Sequence, residues 1–131
     1  MSEFRAKISE KVFRERVDAF ESTIGQLNPS RISKFDVRKI LSCLTLISGS
    51  AERSIKEYIA MGSDDEVNKL YTGTVSVFES VLPFLPDPAL KEAKLNQQRF
   101  ERRVASFARI HQLKESYADL KSSFRIRKKD E

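Results

Sequence analysis

Apolar residues recur at every third or fourth position along most of this chain, which is the spacing that places them on one face of an α-helix. Proline, glycine and capping residues divide the pattern into segments, and the second segment is apolar around most of its circumference, as in a central helix. The predicted helices span residues 3–27, 33–49, 51–61, 63–82 and 88–124. Since these stripes leave little room for a sheet, the sequence predicts an all-α, single-domain bundle of about five helices.

Three serines have the positions of helix N-caps. Ser33 with Asp36, and Ser63 with Glu66, have the spacing of a capping box, in which each side chain accepts a hydrogen bond from the backbone N–H of the other residue. Ser50 follows a glycine and precedes a further apolar segment, so it is predicted to begin a short third helix. The sequence PFLPDP is the strongest break in the chain and separates the last two helices.

The C-terminal segment carries two apolar faces on one uninterrupted stretch. It would be about 55 Å long, whereas a compact domain of this size has a diameter of about 36 Å. The two faces, rotated by roughly 120° from each other, consist of Ala93, Phe100, Val104 and Phe107, and of Ile110, Leu113, Tyr117, Leu120 and Phe124. The sequence therefore predicts a long C-terminal helix that bends near residues 108–112, or that protrudes so that its halves pack on different surfaces.

Apolar residues near both ends of the chain lie off the main stripes of their helices. Phe4 and Ile8 are rotated by about 150° from the stripe of the first helix. The two terminal segments either pack on each other within the monomer or form a surface for an oligomer or a partner. The predicted packing or oligomer arm comprises Phe4, Ile8, Tyr117, Leu120 and Phe124.

Positive charge is concentrated in the last third of the chain. The net charge is +5, but residues 1–88 carry 12 basic and 13 acidic side chains, whereas residues 89–131 carry 12 basic and 6 acidic ones. Arginine on a rigid helix suits the recognition of phosphate or carboxylate groups, although a solvated helix face is the alternative interpretation. The candidate partner- or phosphate-binding residues are Arg99, Arg102, Arg103, Arg109 and Arg125. All five belong to the helical bundle domain predicted for residues 1–125, which precedes a basic tail of residues 126–131.

The chain offers little of the chemistry that enzymes use. His111 is the only histidine and Cys43 the only cysteine, so a metal site built from either type lacks a second ligand. The sequence contains no glycine-rich phosphate loop and no serine-nucleophile elbow. We therefore expect a protein that is not an enzyme and that uses no cofactor or metal. A small enzyme with an unrecognised site is the alternative from a different class.

Three further absences bear on location. No apolar run reaches the length of about 18 residues that a membrane span requires. The N-terminus lacks the apolar region of a secretory signal, and a single cysteine cannot form an intramolecular disulfide. We expect an intracellular protein without a membrane span, which is cytoplasmic or, given its basic tail, nuclear.

Two stretches, FDVRKILSCL and LNQQRFERRVASFARI, resemble the helical small subunits of type III CRISPR effector complexes, over fewer than a quarter of the residues. The resemblance implies basic helices that line a path for RNA and DNA. Taken together, the pattern predicts a non-catalytic interaction or assembly module that presents its basic C-terminal helix to a protein partner or to its own oligomer. The second hypothesis is a small subunit of a larger complex that binds the RNA or DNA backbone.

Overall fold

The computed structural model describes the backbone of residues 2–28 and 30–130 and the side chains of residues 4–28 and 30–115. Its elements are α1 (Ser2–Gly25), α2 (Lys34–Met61), α3 (Asp64–Val81), a 3-10 turn (Leu82–Phe84) and α4 (Asp87–Asp130). No strand occurs in the described backbone, so the predicted all-α bundle is confirmed, with four α-helices in place of about five.

The helix count differs from the prediction because α2 does not end at Gly49. Ser50 is buried, and its hydroxyl donates to the Leu46 carbonyl at 3.0 Å and accepts from Arg16 of α1. Gly49 keeps a helical backbone, since Gly62 is the only glycine of the described chain with a positive φ. Apolar residues on both sides of Ser50 share one core, and their burial outweighs the roughly 1 kcal/mol that a glycine costs inside a helix. The predicted N-cap at Ser50 is therefore wrong.

The two predicted capping boxes have different outcomes. At Ser33 both bonds form, because its hydroxyl accepts from the Asp36 N–H and the Asp36 carboxylate accepts from the Ser33 N–H, each at 3.1 Å. Ser63 makes no side-chain cap bond. Its N–H donates to the Tyr58 carbonyl at 2.9 Å, and Gly62, at φ 73°, supplies the left-handed residue, so these residues close α2 as a Schellman motif. Because that motif fixes the backbone of Ser63, the predicted box there is wrong.

Helix α2 is the centre of the bundle and packs against α1, α3 and α4, as its apolar circumference predicted. It runs antiparallel to α1. The Ser54 hydroxyl donates to the Ala6 carbonyl at 2.9 Å, and Arg16 further along α1 donates to the earlier Leu46 carbonyl at 2.9 Å. The largest fully buried apolar side chains are Ile40, Leu44, Ile47, Ile55, Phe78, Val81 and Phe100.

Helix α4 runs parallel to α2 where the two helices meet. Arg103 forms an ion pair with Glu52 at 3.1 Å, and one turn later Lys56 lies over the Phe107 ring, 5.8 Å from its centroid. On the side of α3, Phe100 is buried and stacks on Tyr71 with 5.8 Å between ring centroids. Apolar burial and these lateral contacts together fix the register of α4 on the bundle.

The second half of α4 leaves the core. Its 44 residues make it about 66 Å long, compared with about 42 Å for the 28 residues of α2. It is continuous through residues 108–112, so the helix does not end where a bend was considered. Val104 is the last buried residue of its described part, and side chains 105–115 are exposed or half-buried. The tail predicted for residues 126–131 lies outside the described side chains, and the domain division stays a prediction.

Candidate interaction surface

One face of α4 is exposed along its whole described length. Its residues repeat at intervals of three or four, which aligns them along the helix on the side roughly opposite the buried Phe100 and Val104. We call this face the α4 stripe, and it consists of Leu95, Arg99, Arg102, Ser106, Ile110 and Leu113. Arg99 and Arg102 make its N-terminal half basic beside the exposed Leu95, and its C-terminal half is apolar, with Ile110 50% and Leu113 64% exposed.

The predicted arginine cluster divides into free and engaged members. Arg99, Arg102 and Arg103 line one shallow groove of about 250 Å³ on α4, together with Gln98. No ion pair joins Arg99 or Arg102 to another described residue, whereas Arg103 is bound to Glu52. Arg99 and Arg102 therefore keep their charges available to a ligand.

The remaining predicted charges and the predicted arm are placed only in part. Arg109 is exposed but does not line the groove of the other arginines, and Arg125 lies outside the described side chains. Phe4 and Ile8 are 69% and 48% exposed. Tyr117, Leu120 and Phe124 also lie outside the described side chains, so their packing on α1 or on a partner stays a prediction.

A second surface, which sequence reasoning missed, is a groove of about 320 Å³ between α2 and α4. We call it the α2–α4 groove, and its lining residues are Lys56, Ile59, Ala60, Phe107, Ile110, His111 and Lys114. The sequence assigned residues 51–61 to a separate short helix, so nothing aligned them with residues 107–114. The one available signal was that Ile110 and Leu113 lay off the stripe that the first half of α4 buries.

His111 occupies the rim of this groove. Its Nε2 atom lies 3.0 Å from the Glu115 carboxylate one turn later, and its side chain is 29% exposed. His111 is thus a half-buried helix residue whose ring already has a partner on the same helix. No group of three or more potential metal ligands occurs among the described residues.

Glu10 is a carboxylate that links α1 to α2. It accepts hydrogen bonds from the Tyr58 hydroxyl at 2.6 Å and from Arg14 at 2.8 Å. Burial alone raises the pKa of Glu10, but these bonds and the charges of Arg14 and Lys69 outweigh it, so the pKa lies below its ordinary value. The cavity of about 420 Å³ beside it, between α1 and α3, thus contains a carboxylate that the chain itself already satisfies. That the chain is not an enzyme stays a prediction.

None of the described helices combines the length and the apolar content needed to cross a bilayer. Comparison of the chain with protein-family models, with curated proteins and with solved structures finds no match in any of the three. The resemblance to the small subunits of type III CRISPR complexes therefore gains no support, and the surfaces on α4 are the basis for considering function.

Proposed function

We propose that this chain is a non-catalytic interaction module that binds a protein partner through α4. The observation that carries the proposal is the α4 stripe, in which exposed Ile110 and Leu113 continue a face that also bears Arg99 and Arg102. Covering apolar surface stabilises a complex by about 25 cal/mol per Å² before the costs of association, and charges beside it supply specificity. A stripe that is both apolar and charged is more typical of a protein-binding surface than of a helix face that contacts only solvent.

Self-association is the other form of the same hypothesis. Two copies paired in parallel would bring Arg99 and Arg102 of one chain close to the same residues of the other, and like charges facing each other are destabilising. An antiparallel pair that contacts only near Ile110 and Leu113 separates Arg99 and Arg102 of the two chains, although it still brings Arg109 and Lys114 of each chain to the contact. The solution mass therefore separates self-association from binding of a different protein.

The test compares Ile110→Asp with Leu46→Asp, which changes an equally exposed apolar residue on α2 (51% against 50%). Each tagged variant is isolated, after nuclease treatment, from the organism that carries the gene, and its mass is measured across a range of concentrations. We expect the parent and Leu46→Asp to show a stoichiometric protein complex or a dimer, and Ile110→Asp to lose it. The proposal is contradicted if the complex still forms with Ile110→Asp. It is also contradicted if the parent is a monomer at all concentrations and co-purifies with no other protein.

A second candidate function, binding of the RNA or DNA backbone, is favoured by one specific observation. Arg99 and Arg102 lie without ion pairs among the described residues on a shallow surface that also presents Gln98 and Ser106. Arginine and small polar side chains of this kind commonly contact phosphate oxygens. Association that disappears on nuclease treatment supports this alternative.

A further inference from the structure

We propose that the α2–α4 groove binds an acidic amphipathic helix of the partner protein. This assignment rests on the proposed protein-binding function and adds the chemical class of the partner. An apolar side chain of that helix would enter between Ile59 and Phe107, and carboxylates beside it would pair with Lys56 and Lys114. The groove shares Ile110 with the α4 stripe, so the two surfaces form one continuous face.

The shape of the groove is that of a furrow between two parallel helices. Glu52 with Arg103 and Lys56 with Phe107 show that α2 and α4 advance together here. The floor is apolar and is supplied by both helices. A third helix packs into such a furrow by inserting apolar residues spaced three, four and seven positions apart.

The charged residues at the rim of the groove determine which sign of charge a partner helix needs. Lys56 and Lys114 are both exposed, and the ammonium of Lys56 is positioned over the Phe107 ring at 5.8 Å. No carboxylate occurs among the described lining residues, and Glu115 nearby is engaged with His111 at 3.0 Å. A helix with glutamate or aspartate beside its apolar residues is therefore complementary in charge. A second copy of α4 is not, because it brings further arginines and lysines.

The sequence beyond the groove has the spacing that a longer helix pair requires. Ile110 and Leu113 are followed by apolar residues at positions 117, 120 and 124, which repeat the intervals of three and four of a coiled-coil seam. The positions flanking the first two are basic, with Arg109 on one side and Lys114 on the other. An acidic partner helix is thus favoured by the charges flanking the seam as well as by the groove.

The test uses a synthetic amphipathic helix with apolar residues at the seam positions and glutamate at the flanking positions. A second peptide carries lysine in place of each glutamate. Fluorescence anisotropy with the full chain should show saturable binding of the acidic peptide, at least about tenfold tighter than that of the lysine peptide. Absence of saturable binding by the acidic peptide, or equal binding of both peptides, overturns the assignment.

Variants of the chain locate the binding site. Lys56→Glu with Lys114→Glu should weaken binding of the acidic peptide by about tenfold or more, whereas Lys34→Glu with Lys39→Glu, at two exposed positions in the first half of α2, should change it by less than about twofold. Ala60→Trp, at an exposed position of the groove lining, should block binding without altering a buried residue. Circular dichroism and the thermal midpoint confirm that each variant folds.

The outcomes separate the groove from the proposed function. Binding that is lost in Arg99→Glu with Arg102→Glu but kept in both groove variants overturns the groove assignment and leaves protein binding by α4 intact. The same conclusion follows if the acidic peptide does not bind the chain while the native complex is still lost in Ile110→Asp. Displacement of the acidic peptide by duplex DNA or RNA at moderate salt, without displacement by a second unlabelled acidic peptide, assigns the groove to nucleic acid and overturns the proposal.

Discussion

Glu10 and Tyr58 show how one hydrogen bond ties α1 to the central helix. The Tyr58 side chain is almost fully buried, and its hydroxyl donates to a carboxylate that is 15% exposed. Hydrogen bonds to charged groups contribute about 1.5–3 kcal/mol. We therefore expect Tyr58→Phe to lower the free energy of unfolding by about that amount near neutral pH, measured by urea denaturation. Tyr71→Phe is the control, since Tyr71 is a half-buried ring stacked on Phe100 whose hydroxyl bonds to no other described residue.

The same pair predicts a pH dependence with a definite sign. Because the pKa of Glu10 is lower in the folded chain than its ordinary value of 4.5, its ionised form stabilises the fold. This contribution is complete above the unfolded pKa and is lost as the pH falls through the lower, folded pKa. We expect the stability difference between parent and Tyr58→Phe to shrink as unfolding is measured at increasingly acidic pH below about 4.5. A difference that stays constant or grows on acidification contradicts this account of Glu10.

At the scale of elements, one glycine inside α2 and one at its C-terminal cap should respond in opposite directions to alanine. Gly49 lies inside the helix with a negative φ, and a Cβ added there meets nothing within 4 Å. Gly49→Ala should therefore stabilise the protein by about 0.5–1 kcal/mol. Gly62 has φ 73° at the C-terminal cap, where a non-glycine residue costs about 1–2 kcal/mol, so Gly62→Ala should destabilise. Thermal or urea unfolding of the two variants decides the point, and a destabilising Gly49→Ala would restore the helix end predicted at that residue.

The two serines at helix starts offer a second matched pair. Ser33→Ala removes one bond of a complete capping box and should cost about 1 kcal/mol of stability. Ser63→Ala removes no cap bond, so its effect should stay within about 0.5 kcal/mol. Equal losses for both variants, measured by urea unfolding, would show that the Ser63 hydroxyl has a role that its geometry does not explain.

These elements also show which features a sequence can predict. The box at Ser33 depends on Asp36, three positions away, so a local pattern was sufficient. Ser50 was assigned to a helix start because its actual partner, Arg16, comes from a different helix 34 residues earlier. The capping box predicted at Ser63 was wrong for a related reason, because the motif that ends the preceding helix fixes the backbone of Ser63. Local spacing predicts a cap only where no packed neighbour or adjoining motif competes for the same residue.

At the scale of the whole molecule, the candidate surfaces depend on the alignment of α2 with α4. The arginine cluster was identifiable from composition, but the binding of Arg103 to Glu52, 51 residues earlier, was not. The α2–α4 groove could not be predicted for the same reason, because it forms only where two helices that are far apart in sequence pack in parallel. Charge and periodicity therefore indicated α4 as the candidate interaction helix, while the division of its residues into free and engaged ones required the fold.

That division gives the nucleic-acid alternative a quantitative form. Each phosphate contact contributes about 0.9 to the slope of log affinity against log salt for duplex DNA. If Arg99 and Arg102 are such contacts, Arg99→Ala with Arg102→Ala should lower the slope by about 1.8, measured by anisotropy across a salt series. Arg103→Ala is the control, because its guanidinium lies 3.1 Å from the Glu52 carboxylate and should change the slope less. An unchanged slope in the double variant, or a parent that does not bind duplex at moderate salt, removes the phosphate role and returns these two arginines to a solvated helix face or to a protein partner.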